Sequence, residues 1–205
     1  IEQVVQTAHA GIEDPSKPEY YVQVLAKQDS ASLKQQVKDL AGNIYAFRTK
    51  TAIDGVANKV MKDVNLAIKK ADGAGALNMF DRGVYFANHA RLHGGSTPPM
   101  LTWHWTSGQK PKGNNYSFYS GGADKGIWVL STAADPDEYD DFVLGHEYGH
   151  FTMDAYSKDD SKGGVHYLNR YSTPILAWSE GWASYFAAAA LKMSTYVDTG
   201  ASGVN

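Results

Sequence analysis

The sequence predicts an α+β fold, in which a small mixed or antiparallel β-sheet packs with helices behind a β-rich N-terminal region. Three observations indicate this class. Short segments of alternating apolar residues recur between residues 20 and 130, amphipathic helical segments follow residue 54, and two strongly apolar helices come late in the chain. We therefore divide the chain into a β-rich N-terminal region, 1–54, and a region that carries the candidate site, 55–205.

The composition is typical of globular proteins, with 43% hydrophobic and 20% charged residues and a net charge of −3. No basic run predicts nucleic-acid binding, and no apolar run approaches the roughly 20 residues of a membrane span. The absence of cysteine excludes disulfides, thiolate zinc sites and a thiol nucleophile. Thirteen Tyr, five Trp and 20 Gly suit a secreted or periplasmic hydrolase, so we expect an extracytoplasmic protein.

The N-terminal region is predicted to be mostly β. Residues 20–27 alternate and are rich in Tyr and Val, which predicts a strand. Residues 32–47 are ambiguous, because their first apolar residues have helical spacing whereas Gly-Asn at 42–43 favours a hairpin. We favour strands with a turn at 41–43. His9 stands alone and is expected to be structural or exposed.

Two helices are predicted next, at residues 55–71 and 76–92. On the second helix, Gly94 is the expected cap. One side of this helix is expected to carry Leu77, Phe80, Val84, Ala87 and Arg91. His89 and His93 are four residues apart, but no acidic residue follows His89, so an ordinary helix end is favoured over a metal site.

Three strands are predicted after these helices, at residues 100–105, 115–119 and 127–130. The last two are expected to pair around a glycine-containing turn. His104 lies within the aromatic first strand and is expected to pack there rather than bind a metal.

The motif His-Glu-x-x-His at residues 146–150 is the strongest functional signal in the chain. On a helix, His146 and His150 project from one face and can hold one Zn²⁺ at roughly 2.0–2.1 Å each. Glu147 is displaced by about 100° around the helix, from where its carboxylate can reach a water on the metal. Because zinc acidifies that water and the carboxylate takes its proton, the motif predicts a nucleophile aimed at a carbonyl.

The surrounding residues favour a buried helix over a surface helix with two unrelated histidines. Asp135 as N-cap, Pro136 at the first position and Glu138 at the third predict the start of the helix. The residues that follow are strongly apolar: Phe142, Val143, Leu144, Tyr148 and Phe151. Buried histidines and a buried glutamate without partners are costly, and a metal removes that cost.

A second apolar helix is predicted to begin at Thr173-Pro174, with Thr173 as N-cap and Pro174 at the first helical position. Glu180 is the only acidic residue of this helix. A lone buried carboxylate needs a partner, and a metal is a good one. The alternative is a glutamate that faces water.

The two motifs resemble those of the gluzincin metallopeptidases, the group of thermolysin and the aminopeptidase N family. In that group, zinc is held by the two histidines of His-Glu-x-x-His and a glutamate on the next helix, which implies His146, His150 and Glu180 here. The segment 178–185 around Glu180 resembles the aminopeptidase form of the second motif. The upstream order of helix, strands and motif helix resembles thermolysin, so that the resemblance covers roughly residues 75–190.

The resemblance also implies roles outside the metal ligands. The strand 116–119 corresponds to the sheet edge that pairs with the peptide substrate, which implies substrate-binding roles for Tyr116, Ser117 and Phe118. Ser184 stands where thermolysin has an aspartate that orients the first histidine, and its hydroxyl can accept an N–H bond from His146. The strand lacks the glutamate with which aminopeptidases capture a substrate amino terminus, which favours an endopeptidase.

One part of the family's machinery has no match in the chain. The oxyanion donor of the family lies well downstream of the ligand glutamate. Tyr156, His166 and Tyr167 remain unranked substitutes. A polar stretch at 196–205 follows the last apolar helix without a stop signal, so we expect the natural chain to continue.

The sequence thus predicts a zinc-dependent peptidase with one Zn²⁺ per chain and a peptide or protein substrate. One alternative is a non-catalytic zinc-binding module that retains a metallopeptidase fold, and another is a globular protein without metal. The presence of Glu147 favours the enzyme, because a structural zinc site needs no base and closes with a fourth protein ligand.

Overall fold

The computed structural model describes residues 6–9, 19–49, 53–54, 66–161, 163, 171–200 and 203–204. In this part of the chain the strands are β1 (Gln6–His9), β2 (Glu19–Leu25), β3 (Lys27–Asp29), β4 (Lys34–Lys38), β5 (Ala46–Arg48), β6 (Ile53–Asp54), β7 (Leu101–His104), β8 (Phe118–Ser120), β9 (Gly126–Trp128), β10 (Thr199–Gly200) and β11 (Gly203–Val204). The α-helices are α1 (Ala74–Gly94), α2 (Asp141–Tyr156) and α3 (Pro174–Leu191).

The main sheet is mixed and has five strands in the order β3-β4-β7-β9-β8. Strands β4, β7 and β9 run parallel to one another, whereas β3 pairs antiparallel with β4 at one edge and β8 pairs antiparallel with β9 at the other. A second sheet joins β1, β2, β5 and β6 in antiparallel pairs, and β10 and β11 form a short hairpin. The predicted α+β class is therefore confirmed.

The β character predicted for the first 54 residues is confirmed in their described part, including a turn between Lys38 and Ile44, which form a bridge. Strand β4 pairs in parallel with β7, so strands from this region also build the main sheet. The division of the chain at residue 54 stays a prediction. The predicted strands at 100–105 and 127–130 correspond to β7 and β9.

The core lies between the main sheet and the three helices, with Tyr148 of α2 near its centre. The Tyr148 ring stacks on Phe186 of α3 at 5.7 Å between centroids and lies 5.5 Å from Phe86 of α1. On the sheet side it meets Trp103 of β7 at 6.1 Å. One aromatic cluster thus holds all three helices against the sheet.

Helix α1 is confirmed, and the side predicted for it is correct in part, since Ala87 is buried and Leu77, Phe80 and Val84 pack against the core. The buried stripe is formed by Ala76, Met79, Gly83, Phe86, Ala87 and Ala90. A Cβ at Gly83 would lie 1.9 Å from the side-chain oxygen of Gln35, so only glycine allows β4 to approach this closely. Small residues mark the buried face here, and a stripe chosen by hydrophobicity overlooks them. The helix ends at Gly94, and its cap is Gly95, one residue later than predicted, with a left-handed φ of 75°.

The helix predicted at 55–71 is wrong in its described part, and residues 55–65 lie outside the described residues. Residues 66–69 are not helical, and Lys70–Asp72 form a 3₁₀ turn. Leu66 and Ile68 both pack against the core. Their two-residue spacing is that of an extended segment with one side facing the core.

The predicted start of α2 is also wrong. Asp137–Tyr139 form a separate 3₁₀ turn, and α2 begins at Asp141 with Asp140 as its N-cap residue. Glu138, which was expected to take part in the cap, instead accepts a hydrogen bond from Ser131, and the neighbouring Asp137 accepts one from Ser117.

The predicted start of α3 is confirmed. The hydroxyl of Thr173 accepts a hydrogen bond from the Leu176 amide at 3.3 Å, and Pro174 is the first helical residue. Among the described residues, no helix has both the length and the apolar character needed to cross a membrane.

Candidate metal centre

The candidate site lies where α2 and α3 cross at close range. At Gly149, an added Cβ would lie 2.6 Å from the Cα of Ala183, so the helix backbones are nearly in contact. Gly145 of α2 meets Ala187 of α3 one turn away. This contact between small residues brings Glu180 of α3 next to the histidines of α2.

The structure brings together the three side chains that the sequence proposes as metal ligands. The Nε2 atoms of His146 and His150 are 3.2 Å apart, and Glu180 Oε2 lies 3.1 Å from the first and 3.5 Å from the second. Four ligands at roughly 2.0–2.1 Å around a tetrahedral zinc are about 3.3–3.4 Å from one another. The spacing of the three donor atoms therefore fits one zinc ion, with one position left for a non-protein ligand.

The other ring nitrogens of the two histidines face serine hydroxyls. His146 Nδ1 lies 3.2 Å from Ser184 Oγ, and His150 Nδ1 lies 3.3 Å from Ser179 Oγ. A metal-binding histidine usually donates its second N–H to such an outer partner, which orients the ring. Ser184 thus lies where the resemblance placed it. Ser179 was missed, although it directly precedes the glutamate of the motif.

Glu147 is buried beside the histidines and is held by the edge of the main sheet. The backbone N–H of Tyr119 in β8 donates to Glu147 Oε2 at 2.7 Å. Burial raises the pKa of Glu147, while the neighbouring His146 and His150 act in the opposite direction.

The ionisation of the ligands follows from their mutual contacts. Burial favours the neutral form of Glu180, but hydrogen bonds with His146 and His150 outweigh it and lower the Glu180 pKa well below its usual range. Burial likewise lowers the pKa of His150, but the hydrogen bond with Glu180 and the charge of Glu147 produce a net increase. The cluster therefore favours an ionised Glu180, which is the form of a carboxyl group that binds a metal cation.

Residues 91–205 match a family model described as the Mycolysin C-terminal domain, which is more than half of the chain. The chain belongs to this family. Membership associates the chain with peptidases of the mycolysin and thermolysin type, and the mixed α+β fold is compatible with it. No curated protein matches the chain.

The region matched to the mycolysin family contains β8, the predicted substrate strand. Strand β8 lies at the edge of the main sheet, but its position differs from the prediction. Tyr116 and Ser117 precede the strand, which begins at Phe118. Ser117 is buried, donates to Asp137 and accepts from the Leu130 amide, so its side chain is structural. Tyr116 is 54% exposed.

Within β8, Tyr119 is the residue that contacts Glu147. It was part of the predicted strand but was not named as a functional residue. Its amide contacts Glu147, and its hydroxyl donates to Asp154 Oδ2 at 2.6 Å, where Lys125 also binds. Strand β8 is therefore attached to α2 at two points, two turns apart on the helix.

The other histidines lie away from these ligands. The rings of His89 and His93 are 4.4 Å apart at the end of α1 and line a cavity of about 680 Å³ with Trp178 and Trp182. The described residues contain two groups of three or more potential ligands, and this pair belongs to neither. His104 stacks on Trp128 at 4.0 Å, as expected for a packing residue. Nothing is described of the His9 side chain.

The candidates for the oxyanion donor are not supported by the described residues. The hydroxyl of Tyr156 donates to the backbone oxygen of Ser96 at 2.6 Å, and Tyr156 lines the cavity at the end of α1. His166 and Tyr167 lie outside the described residues.

The second potential ligand group was not predicted. Four carboxylates of Asp135, Asp137, Asp140 and Asp198 converge next to the start of α2. The Asp140 carboxylate accepts hydrogen bonds from the amide and hydroxyl of Thr199 at 2.8 Å. Burial, together with the charges of Asp135 and Asp198, raises the pKa of Asp137 to about 8, although the hydrogen bond from Ser117 opposes the shift.

Proposed function

We propose that the chain carries the zinc centre of a peptidase that hydrolyses internal peptide bonds. The observation that supports this most strongly is the set of three donor atoms from His146, His150 and Glu180, separated by 3.1–3.5 Å, with Glu147 beside it. Two imidazoles and a carboxylate are the ligand set of several zinc hydrolases, and they leave the fourth position open.

The roles of the chain's own residues follow from their contacts. When bound, zinc supplies a Lewis acid that polarises a carbonyl and acidifies water. Glu147 receives the proton of the attacking water and passes it to the leaving nitrogen, as a general base and then a general acid. The Tyr119 amide engages Glu147 Oε2 and so orients Oε1 for this exchange.

Strand β8 supports a peptide substrate. Among the described strands it pairs only with β9, and the Tyr119 amide points away from β9 toward Glu147. Since the N–H and C=O groups of one strand residue point to the same side, the Tyr119 carbonyl also faces the open edge beside Glu147. An extended peptide that pairs with this edge would place its backbone next to the metal centre.

The association with secreted mycolysin-type proteases supports an extracytoplasmic location, and we include this in the proposal. The alternative is a non-catalytic zinc-binding module. Such a module would bind zinc through the same ligands but requires no base at residue 147. Peptidase activity, measured together with metal content, therefore distinguishes the module from the enzyme.

The test uses the full-length natural protein. We expect about one zinc per chain after dialysis. We also expect cleavage of casein or of a quenched internal peptide, which a chelator abolishes and added zinc restores. Zinc without cleavage of any peptide would support the non-catalytic module. A metal content near zero that added zinc does not restore would overturn the zinc centre itself.

A further inference from the structure

A short hydrogen-bonded chain leads from the loop after α2 to the second histidine. Ser179 Oγ lies 3.3 Å from His150 Nδ1 and donates to Asp159 Oδ2 at 3.1 Å. The other oxygen of Asp159 accepts a hydrogen bond from the Ser161 amide at 2.9 Å. Ser179 is only 2% exposed, so its hydroxyl is committed to these partners.

The available protons determine which group donates and which accepts in each of these hydrogen bonds. A carboxylate accepts hydrogen bonds but cannot donate, and a serine hydroxyl has a single proton. Because that proton points to Asp159, Ser179 can only accept from His150. His150 must then carry a proton on Nδ1, which leaves Nε2 as the nitrogen that faces His146 and Glu180.

We propose that Asp159 is a positioning residue that, through the hydroxyl of Ser179, holds His150 in the tautomer whose Nε2 can bind a metal. This inference rests on the proposed zinc centre but concerns a residue 21 positions before Glu180, whose hydrogen bonds are with Ser179 and Ser161. An outer partner of this kind typically changes metal affinity by about 10–100-fold.

Replacement of Asp159 by asparagine tests this proposal, because it should reverse the donor and acceptor roles in the hydrogen bonds from residue 159 through Ser179 to His150. Asparagine has one oxygen and one NH₂ group in place of two acceptor oxygens. The Ser161 amide can only donate, so it retains the oxygen, and the NH₂ group turns to Ser179. The Ser179 hydroxyl then accepts from Asn and donates to His150 Nδ1, which moves the ring proton to Nε2 and competes with the metal.

The first experiment compares the zinc affinities of Asp159→Asn and Asp159→Ala by competition with a chelator. We expect Asp159→Asn to lose about 10–100-fold and Asp159→Ala to lose less, because alanine leaves the Ser179 hydroxyl able to rotate. A purely structural role predicts the opposite order, since asparagine is the closer match in shape. Asp160→Asn is the matched control, because Asp160 pairs only with the exposed Lys158 in the described structure.

The second experiment needs neither zinc nor activity. The ¹⁵N spectrum of the metal-free protein, recorded at a pH high enough for the His150 ring to be neutral, reports which ring nitrogen of His150 carries a proton. We expect a protonated Nδ1 in the wild type and a bare Nδ1 in Asp159→Asn. Unchanged Nδ1 protonation in the variant would overturn the proposal, even if the protein proves to be an active zinc peptidase.

Ser179→Ala provides the remaining control. It removes the hydroxyl through which Asp159 acts, so Asp159→Asn and Asp159→Ala should then have the same zinc affinity. If the two still differ in the Ser179→Ala background, Asp159 acts by another route and the proposal is wrong. If the wild type binds no zinc, the proposed function fails, and the ¹⁵N spectrum still decides the role of Asp159.

Discussion

The two glutamates of the candidate site have different surroundings, so their replacement should have different effects on zinc binding and on peptide hydrolysis. Glu147 is held by the amide of a strand, whereas Glu180 is held by the two imidazoles. We expect Glu147→Gln to retain zinc and lose about 10²–10⁴ in peptide hydrolysis, because the amide cannot accept a proton at neutral pH. We expect Glu180→Ala to lose zinc affinity by more than the roughly 10–100-fold that an outer partner contributes.

Zinc content and kcat/KM of both variants, measured on full-length protein, test this distinction. Equal loss of zinc in the two variants would contradict the assignment of Glu180 as ligand and Glu147 as base. Cleavage by Glu147→Gln at the wild-type rate would contradict the mechanism.

Asp137 gives a pH dependence that is independent of the metal ligands. Its pKa is raised to about 8, chiefly by burial, with added repulsion from Asp135 and Asp198. Since the fold favours the protonated form, its contribution to stability is complete below the unfolded pKa of about 3.9 and is lost as the pH rises to about 8. We expect Asp137→Asn to become progressively more stable than wild type over this range.

Urea unfolding of both proteins at about pH 5 and about pH 8, without added divalent cations, measures the difference. Comparison with the variant removes contributions from titrating groups that do not interact with Asp137. A difference in unfolding free energy that does not change with pH would show that Asp137 is ionised throughout.

At the scale of elements, the crossing of α2 and α3 depends on one glycine. An added Cβ at Gly149 would meet backbone atoms of Ala183 at 2.6 and 2.9 Å, so the helices would have to separate. We expect Gly149→Ala to cost about 1–3 kcal/mol of unfolding free energy and to weaken zinc binding, because Glu180 lies on the displaced helix.

Two alanine substitutions in the same helix pair serve as controls, with denaturant unfolding as the measurement. At Gly145 the nearest atoms are side chains at 3.1 and 3.2 Å, so the cost should be smaller. At Gly181 of α3 nothing lies within 4 Å, and alanine should stabilise the helix by up to about 1 kcal/mol. If Gly149→Ala behaves like Gly181→Ala, the helices are not in the close contact described.

Elements were predictable where the signal is local. Alternation located β2, β7 and β9, and the Thr-Pro pair located the start of α3. The start of α2 and the buried face of α1 were not predictable from local patterns. The side chains of Asp137 and Glu138 bond to Ser117 and Ser131 rather than to helix amides. Similarly, the face of α1 that is buried follows from how closely β4 approaches Gly83, which no periodicity encodes.

At the scale of the whole molecule, one part of the candidate site is likewise predicted by a local sequence pattern, and another part is determined only by tertiary packing. The spacing of His146 and His150 on one helix is local, and it sufficed to propose a metal pair. Asp159 and Ser179 meet only because the loop after α2 folds back on α3, so no sequence pattern could connect them. The resemblance supplied Ser184 and the edge strand, and packing moved the relevant strand contact to Tyr119.

The proposed zinc would lie between α2 and α3, and this position predicts how the molecule responds when the metal is removed. Helix α1 and the main sheet share an aromatic core, to which α3 contributes Phe186. The other buried residues of α3 are small, and α3 exposes Ile175, Trp178 and Tyr185. Zinc bound to the folded state alone adds about 4 kcal/mol at a concentration 1,000-fold above its Kd. Because the ligands join α2 to α3, this contribution should act chiefly on α3.

We therefore expect chelation to increase amide hydrogen exchange in α3 more than in α1 or β7, and to lower the thermal midpoint of the whole protein. Readdition of zinc should reverse both effects in wild type and in Glu147→Gln, and should have little effect in Glu180→Ala. Uniform loss of protection across α1, β7 and α3 would show that the metal stabilises the fold as one unit. Unchanged exchange in α3 would show that no metal links the two helices.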